Sequence, residues 1–377
     1  MRLSCLQENL ARGLVIVGRA VATRTTLPIT QNVLLVAEES RLKLSTTNLE
    51  IAITTWVGAR VEEEGSVTLP ARLLTEFISA LPNERIDLEG TEHPAGVHLK
   101  CARFEAHING TDADEFPPIP SVEGQVTAKV LAPPLRSAIN QVVFAAATED
   151  SRPVLTGIQV EFTGDQFVFA AADGFRLAVH RGTLAEPAPE SIKVIIPART
   201  MGELQRLLGD QEEPVEFTLT PSRNQLLIRW RSAEMVSQLT QGTFPNYAQL
   251  IPKEHTTRAV VNLREFLRAT RTAAIFARDG SGIVRLQFFP GSNGTAGRVE
   301  ISSRAEEIGE NQGHVDAKIE GQPAKIAFSS RYLSEVLGAM QSEEVALEST
   351  TPSSPGVFRP VGDESYTHVV MPMFVQW

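Results

Sequence analysis

The residue types that could do chemistry in this 377-residue chain are few and scattered. Of the seven histidines, none stands in the His-x-x-x-His spacing that puts two imidazoles on one helix face for a metal. They read as surface or satisfied core residues. Asp112, Asp114 and Glu115 could attract a cation but lack the ligand spacing of a calcium loop, and read as a solvated acidic turn. Cys5 and Cys101 have neither metal-ligand nor redox spacing and read as buried free thiols. No glycine-rich loop ends in Lys-Ser or Lys-Thr to cradle a phosphate. Asn109-Gly110-Thr111 and Asn293-Gly294-Thr295 fit a glycosylation pattern, yet Asn-Gly is equally a turn, and turns are the reading taken. With no nucleophile beside a base and no metal set, the chain is expected to be a binding protein rather than an enzyme, with no cofactor.

What remains is arginine, and its placement depends on the helices. Residues 69–81 read LPARLLTEFISAL, and two further stretches repeat the pattern: IPARTMGELQRLL at 196–208 and FSSRYLSEVLGAM at 328–340. In register, Arg72, Arg199 and Arg331 coincide, as do Glu76, Glu203 and Glu335. The apolar sets Leu74/Met201/Leu333, Phe77/Leu204/Val336 and Leu81/Leu208/Met340 fall at i, i+3 and i+7, one face of a helix. A second set of helices is predicted from Leu6 to about Val21, from Leu131 and from Leu263. Pro133 and Pro134 fall in the first turn of the middle one, where a missing N–H costs little.

Between the two helices of each unit lie β-alternating runs: 32–37 and 41–53, 157–162 and 166–179, 283–289 and 297–303, with further strands at 97–108 and 225–239. Gly164-Asp165 and Asn293-Gly294 are hairpin punctuation. The fold class is therefore α+β: three repeated domains, each two helices packed on antiparallel sheets. Proline-rich stretches, Phe116-Pro117-Pro118-Ile119-Pro120 and Phe244-Pro245-Asn246-Tyr247, set the boundaries, giving domains at 1–121, 122–252 and 253–377.

Charge is segregated. The six helical stretches carry eleven arginines against five glutamates, a balance of +6, in a chain whose formal charge is −10. A basic helical surface can meet phosphates through sequence-blind contacts. Two three-domain arcs joined head to tail would close a ring of twelve helices. At about 10 Å per helix the circle is ~120 Å around, leaving a lumen of roughly 25 Å, wide enough for a duplex of about 20 Å.

At this point the whole chain resembles the bacterial replicative sliding clamps, the beta subunits of DNA polymerase III. The resemblance rests on Thr26-Leu27-Pro28-Ile29, Ala172-Asp173-Gly174-Phe175-Arg176-Leu177-Ala178, Phe244-Pro245-Asn246-Tyr247 and the ending Val369-Val370-Met371-Pro372-Met373. It implies the DNA clamp fold, closing as a head-to-tail dimeric ring with helices inside and sheets outside. It also implies that the protein encircles duplex DNA without sequence preference and has no catalytic activity. The implied partners are DNA, a second copy, the DNA polymerase III catalytic subunit, the clamp loader, and other replication and repair proteins carrying a clamp-binding motif.

The resemblance further implies a peptide-binding pocket at Leu155, Gly174, Phe175, Arg176, Leu177, Pro245, Gln249, Leu250, Val369, Val370, Met371, Pro372 and Met373. Apolar anchors with methionines suit a site that accepts several motifs. Phe175 stands where relatives often have His, Gln249 where some have Arg, and Ser281 near a gating Phe; the tail runs on to Trp377, which could cover part of the pocket. DNA contacts are expected at Arg24 and Arg152, with Arg136, Arg199, Arg268 and Arg271 on the helices; Glu149 and Pro153-Val154 depart from the family there. A dimer seam is expected to set Arg72, Lys100 and Arg103 against Glu306, Glu307 and Glu310. The start, MRLSCLQENLARGL, lacks a long apolar core and no run reaches the length of a membrane span, so a cytoplasmic protein with no membrane partner is expected. Two rival readings are an interaction scaffold that never encircles DNA and an enzyme with a site between repeats.

Overall fold

The computed structural model describes all residues except 121–123, 150, 232, 279–280 and 292–295, so the turn read at Asn293-Gly294-Thr295 lies outside the described residues. The order of elements repeats three times. The first third carries β1 (Arg2–Leu6), α1 (Gln7–Val17), β2 (Asn32–Glu38), β3 (Arg41–Thr47), β4 (Ile51–Glu63), β5 (Gly65–Pro70), α2 (Ala71–Ala80), β6 (Arg85–Glu92), β7 (Ala95–Cys101) and β8 (Phe104–Asn109). The second carries β9 (Ala128–Leu131), α3 (Ala132–Val142), β10 (Gly157–Thr163), β11 (Gln166–Ala172), β12 (Arg176–Thr183), β13 (Ile192–Pro197), α4 (Ala198–Leu208), β14 (Pro214–Leu219), β15 (Gln225–Trp230) and β16 (Ala233–Gln238). The third carries β17 (Thr257–Asn262), α5 (Leu263–Arg278), β18 (Ile283–Phe289), β19 (Gly297–Ala305), β20 (Gly309–Gly321), β21 (Ala324–Ser329), α6 (Ser330–Ala339), β22 (Glu344–Ser349), β23 (Gly356–Pro360) and β24 (Tyr366–Val370).

By compactness the chain forms two units, residues 1–132 with 206–239, and residues 133–205 with 240–377. Each unit holds one twelve-stranded sheet. In the first, the path is β8-β7-β6-β1-β4-β16-β15-β14-β9, with β3, β2 and β5 branching from β4. In the second, it is β13-β10-β11-β12-β24-β23-β22-β17-β20-β19-β18-β21. The second repeat is thus shared: its strands β9 and β14–β16 extend the first repeat's sheet, and β10–β13 extend the third's. Every strand pairing is antiparallel.

The expected helical faces bury as the spacing predicts. Leu74, Met201, Leu204, Leu333 and Val336 are buried, each such side chain stabilising by about 1.5–3 kcal/mol, whereas Phe77 is half-buried and Ile78 takes its place in the core. Helix α1 begins one residue later than the spacing predicts, because Leu6 ends β1, and it stops at Gly18, beyond which Gly18–Ala20 tightens into a 3-10 turn. Four runs that alternate like single strands are in fact hairpins: 97–108 splits into β7 and β8 and 225–239 into β15 and β16, and two more break as follows. Residues 41–53 break at Asn48, whose side-chain carbonyl accepts from the N–H of Glu50 (3.0 Å) and of Ile51 (2.8 Å). Residues 166–179 break at Asp173-Gly174-Phe175. The polar strand β20 has no hydrophobic run to announce it.

Cys5 and Cys101 are free and buried, and burial pushes the Cys5 thiol up to about 12. The acidic turn is a 3-10 segment at Ala113–Glu115, capped by Asp112, which accepts from the Asp114 N–H at 3.0 Å. Thr111 exchanges two backbone hydrogen bonds of 3.0 Å with Thr68; Asn109 is the last residue of β8, so Asn109-Gly110 is not the turn its residue types suggest but leads from β8 into a bridge with β5.

Within the second unit, Phe167 on β11 lies directly opposite Gly182 on β12, and a Cβ on Gly182 would come within 2.3 Å of its ring. Gly182→Val is expected to destabilise by about 1–3 kcal/mol, read as a lower urea midpoint; an unchanged midpoint would contradict this packing.

Candidate functional site

The turn between β11 and β12 is built by one aspartate. Asp173 Oδ1 accepts from the N–H of Phe175 (2.9 Å) and of Arg176 (3.0 Å), and Gly174 supplies the φ of +96° that the turn requires. The consequence is that Phe175 projects outward, 59% exposed, while Arg176 turns inward and is 5% exposed. The Arg176 guanidinium donates to Asp173 (3.0 Å), to Glu335 and to the Phe144 carbonyl, and lies over the rings of Tyr332 (4.4 Å) and Phe144 (5.2 Å). It is a buried cation between two carboxylates and two aromatic faces.

Beside it, β12 pairs with β24, setting Arg176 opposite Val370 and Leu177 opposite Val369. β23 pairs along the other side of β24, so β24 is an interior strand and not an edge. Leu155, Leu177 and Val369 join Phe244 and Tyr247 in one apolar cluster, with Ile251 and Val154 partly buried against it. Phe244 and Tyr247 anchor a segment whose Pro245, Gln249 and Leu250 are exposed. Past β24 the tail stays tethered: the Met371 N–H donates to the Phe175 carbonyl and the Met373 N–H to the Ala327 carbonyl, both at 2.8 Å. Met371 and Met373 are exposed and Pro372 is half-buried.

Of the thirteen residues expected to bind peptide, the structure therefore gathers an apolar floor (Leu155, Leu177, Val369) beneath exposed apolar groups (Phe175, Leu250, Met371, Met373). Arg176 and Val370 are buried and support this surface from below. The tail beyond is open: Phe374 is 89% exposed and Trp377 has its ring 5.5 Å from Lys325.

The other two expected groups lie on other elements, although Arg152 reaches the same turn. On α5, Leu263, Phe266, Thr270, Ala273 and Ala277 are buried, so Arg268 and Arg271 point to solvent, together with Arg264, which spacing alone did not select. The i, i+4, i+7 interval of Arg264, Arg268 and Arg271 was the available signal. Arg24 and Arg199 are exposed and Arg136 is half-buried. Arg152 donates to the Asp173 carbonyl at 3.1 Å and, with Phe175, Arg331 and Tyr332, lines a hollow of about 220 Å³. Lys100 and Arg103 lie on or beside the β7–β8 hairpin, and Arg72 on α2 pairs with Glu76 at 2.8 Å. Glu306, Glu307 and Glu310 are exposed where β19 turns into β20. Phe104, at 53%, and Ile308, at 56%, are the large exposed apolar residues among these two charge groups.

The chain matches the family described as DNA polymerase III beta subunit along nearly its whole length: its N-terminal domain over residues 1–120, its central domain over 129–246 and its C-terminal domain over 248–374. It is 33% identical over 377 residues to the beta sliding clamp of Synechococcus elongatus and 29% over 383 residues to that of Bacillus subtilis, with 99% of both chains covered in each case. Its structure resembles that of the sliding clamp from Bacillus subtilis, with a TM-score of 0.93 at 28% identity, and that from Pseudomonas aeruginosa, with a TM-score of 0.90 at 28%; both cover 100% of each chain.

The site rests on a histidine that stays neutral. His368, next to Val369, bonds the Tyr366 hydroxyl through Nδ1 at 2.9 Å and stacks on Phe144. Burial, and then the charge of Arg176, push its pKa down to about 3. The unfolded chain binds this proton near pH 6.5, so the contribution to stability is intact above that pH and falls as the medium is acidified. Between pH 7 and 5 the loss is about 2 kcal/mol from this residue. His368→Asn is expected to flatten the pH dependence of the unfolding free energy by that amount; an unaltered slope would count against the neutral buried form.

Proposed function

The chain belongs to the family of bacterial DNA polymerase III beta subunits, the sliding clamps, and on that premise we propose that it is a processivity factor that encircles duplex DNA as a head-to-tail homodimer. It tethers the polymerase III catalytic subunit, the clamp loader and other motif-bearing replication and repair proteins through the surface around Phe175, and it performs no catalysis. The domains are 1–121, 122–252 and 253–377, and the protein acts in the cytoplasm. Among the described residues no helix is long and apolar enough to cross a membrane.

The observation that carries the ring is a pair of unmatched strand edges. In the first repeat, β4 pairs through residues 59–63 with its own β1 and through residues 51–55 with β16 of the next repeat. In the second, β12 likewise takes β24 of the third. In the third, β20 pairs through residues 317–321 with β17, but among the described residues 309–316 have no second strand. The strand that corresponds to β16 and β24, β8, is the free edge of its sheet. An open strand edge invites another chain.

The repeats also fix the register. Ala59 opposite Cys5 corresponds to Ala317 opposite Val261, so Thr55 corresponds to Gly313. Phe104 follows its hairpin turn as Ala233 follows the turn before β16. Since Thr55 faces Ala233, Phe104 would face Gly313 of the partner subunit and His107 would face Glu310 of the partner subunit. The bulky exposed Phe104 thus meets a glycine, and the basic residues Lys100 and Arg103 approach the acidic run of Glu306, Glu307 and Glu310.

Arg24, Arg136, Arg152, Arg199, Arg268 and Arg271 supply the DNA-facing charge, with the solvent face of α5 the strongest support. Phosphate contacts of this kind hold the duplex loosely and carry no base information, so sliding meets no sequence-dependent barriers. Gly174, Arg176 and Val370 shape the peptide surface, while Leu155, Phe175, Leu177, Pro245, Gln249, Leu250, Val369, Met371, Pro372 and Met373 meet the motif.

Three outcomes follow from this reading. Loaded with a clamp loader and ATP, the protein is expected to stay on circular DNA and to run off linear DNA with free ends; equal retention on both would refute topological binding. In sedimentation the species is expected to have twice the chain mass of 41.1 kDa. Arg103→Glu is expected to raise the dimer dissociation constant at least tenfold by setting like charges together, with Glu307→Arg restoring part of it. A wild-type chain that sediments as a monomer at every concentration rejects the ring.

A further inference from the structure

The geometry points to a divalent transition-metal site, of the zinc class, on the β7–β8 hairpin, with His98, Glu105 and His107 as ligands and its open position facing the dimer seam. His98 and His107 are directly opposite each other on the two strands, and Glu105 lies two residues from His107 on the same face. The two imidazoles stack with centroids 4.1 Å apart and planes within 4°. His98 Nε2 already bonds the Glu105 carboxylate. One ligand atom from each of the three residues lies within 4.8 Å of the other two. In a tetrahedral zinc site with bonds near 2.0–2.2 Å the donors are about 3.3–3.5 Å apart, so closing the set takes side-chain rotation on an exposed hairpin and no backbone movement.

The donor set selects the metal class. Two imidazoles and one carboxylate suit zinc and its neighbours rather than calcium or magnesium, which take oxygen ligands. Three protein ligands leave a fourth position, and one negative charge faces the ion. The competing cations are Lys100, 3.4 Å from Glu105, and Arg2, which is held by Glu89, the residue opposite His98 on β6. Lys100 is exposed and free to turn away.

This part rests on the ring proposed above: in the register set by the repeats, Glu310 of the partner subunit stands opposite His107, on the same face, and is the fourth ligand. The metal then staples the seam. The sequence hid this site because eight residues separate His98 from His107; the two-residue turn at Ala102-Arg103 is what folds them together.

The full chain, freed of metal by a chelator, would be titrated with zinc chloride by calorimetry. One ion per chain is expected, with affinity reduced at least tenfold by His98→Ala and by His107→Ala, and reduced by Glu105→Gln, which keeps the side chain's size. No saturable binding near one ion per chain, or binding that these variants leave unchanged, overturns the site. In dilution experiments zinc is expected to lower the dimer dissociation constant several-fold in the wild type and not in Glu310→Gln; zinc that binds without this effect overturns the ligand across the seam. A chain that takes one zinc while remaining a monomer keeps the three-ligand site and rejects the ring. A dimer that takes none rejects the site and keeps the ring.

Discussion

The buried guanidinium of Arg176 is the constraint on which the second unit's surface depends. A charge with 5% exposure is tolerated only because Asp173, Glu335, the Phe144 carbonyl and two aromatic faces surround it. Those partners come from the β11–β12 turn, from α6 and from the 3-10 turn after α3, so satisfying one cation fixes three elements. With the turn fixed, Phe175 has nowhere to go but outward, and its carbonyl is placed to accept the Met371 N–H. Burial, with the same charge second, keeps His368 on β24 neutral. A polar cluster of this kind gains little net stability over an apolar one, but removing the guanidinium itself would strip Asp173 and Glu335 of the cation they share.

A second constraint is the accounting of strand edges. The chain satisfies two junctions between repeats internally, through β4 with β16 and β12 with β24. Among the described residues, β8 and the first part of β20 have no such partner. Short length, charged residues and an exposed histidine keep β8 from promiscuous pairing, while the fit of its register to β20 favours one specific partner. In the proposed ring, closure by backbone pairing and charge complementarity would let a chain of net charge −10 surround a polyanion. The repulsive charge is carried by strands and loops, the arginines of α5 lie on a single solvent face, and topology replaces affinity as the means of retention.

The sequence by itself determined the repeat, the positions of the six helices, the apolar face of each and the family. These are local or periodic properties: a helix face needs only its own spacing, and the turn at Gly164-Asp165 needs only its own dihedral freedom, with Gly164 at a φ of +58°. Only the tertiary structure decided which strands pair across repeats, because any alternating strand can pair with any other and the choice is made by partners more than a hundred residues away, as for Ile53 and Met235. It decided that Arg176 is buried where the sequence showed only a charged residue beside a glycine, and that the face of α5 carrying Arg264, Arg268 and Arg271 is the one left to solvent. It also set His98 against His107, since register across a hairpin, unlike spacing along a helix, is fixed by the turn and the core face together.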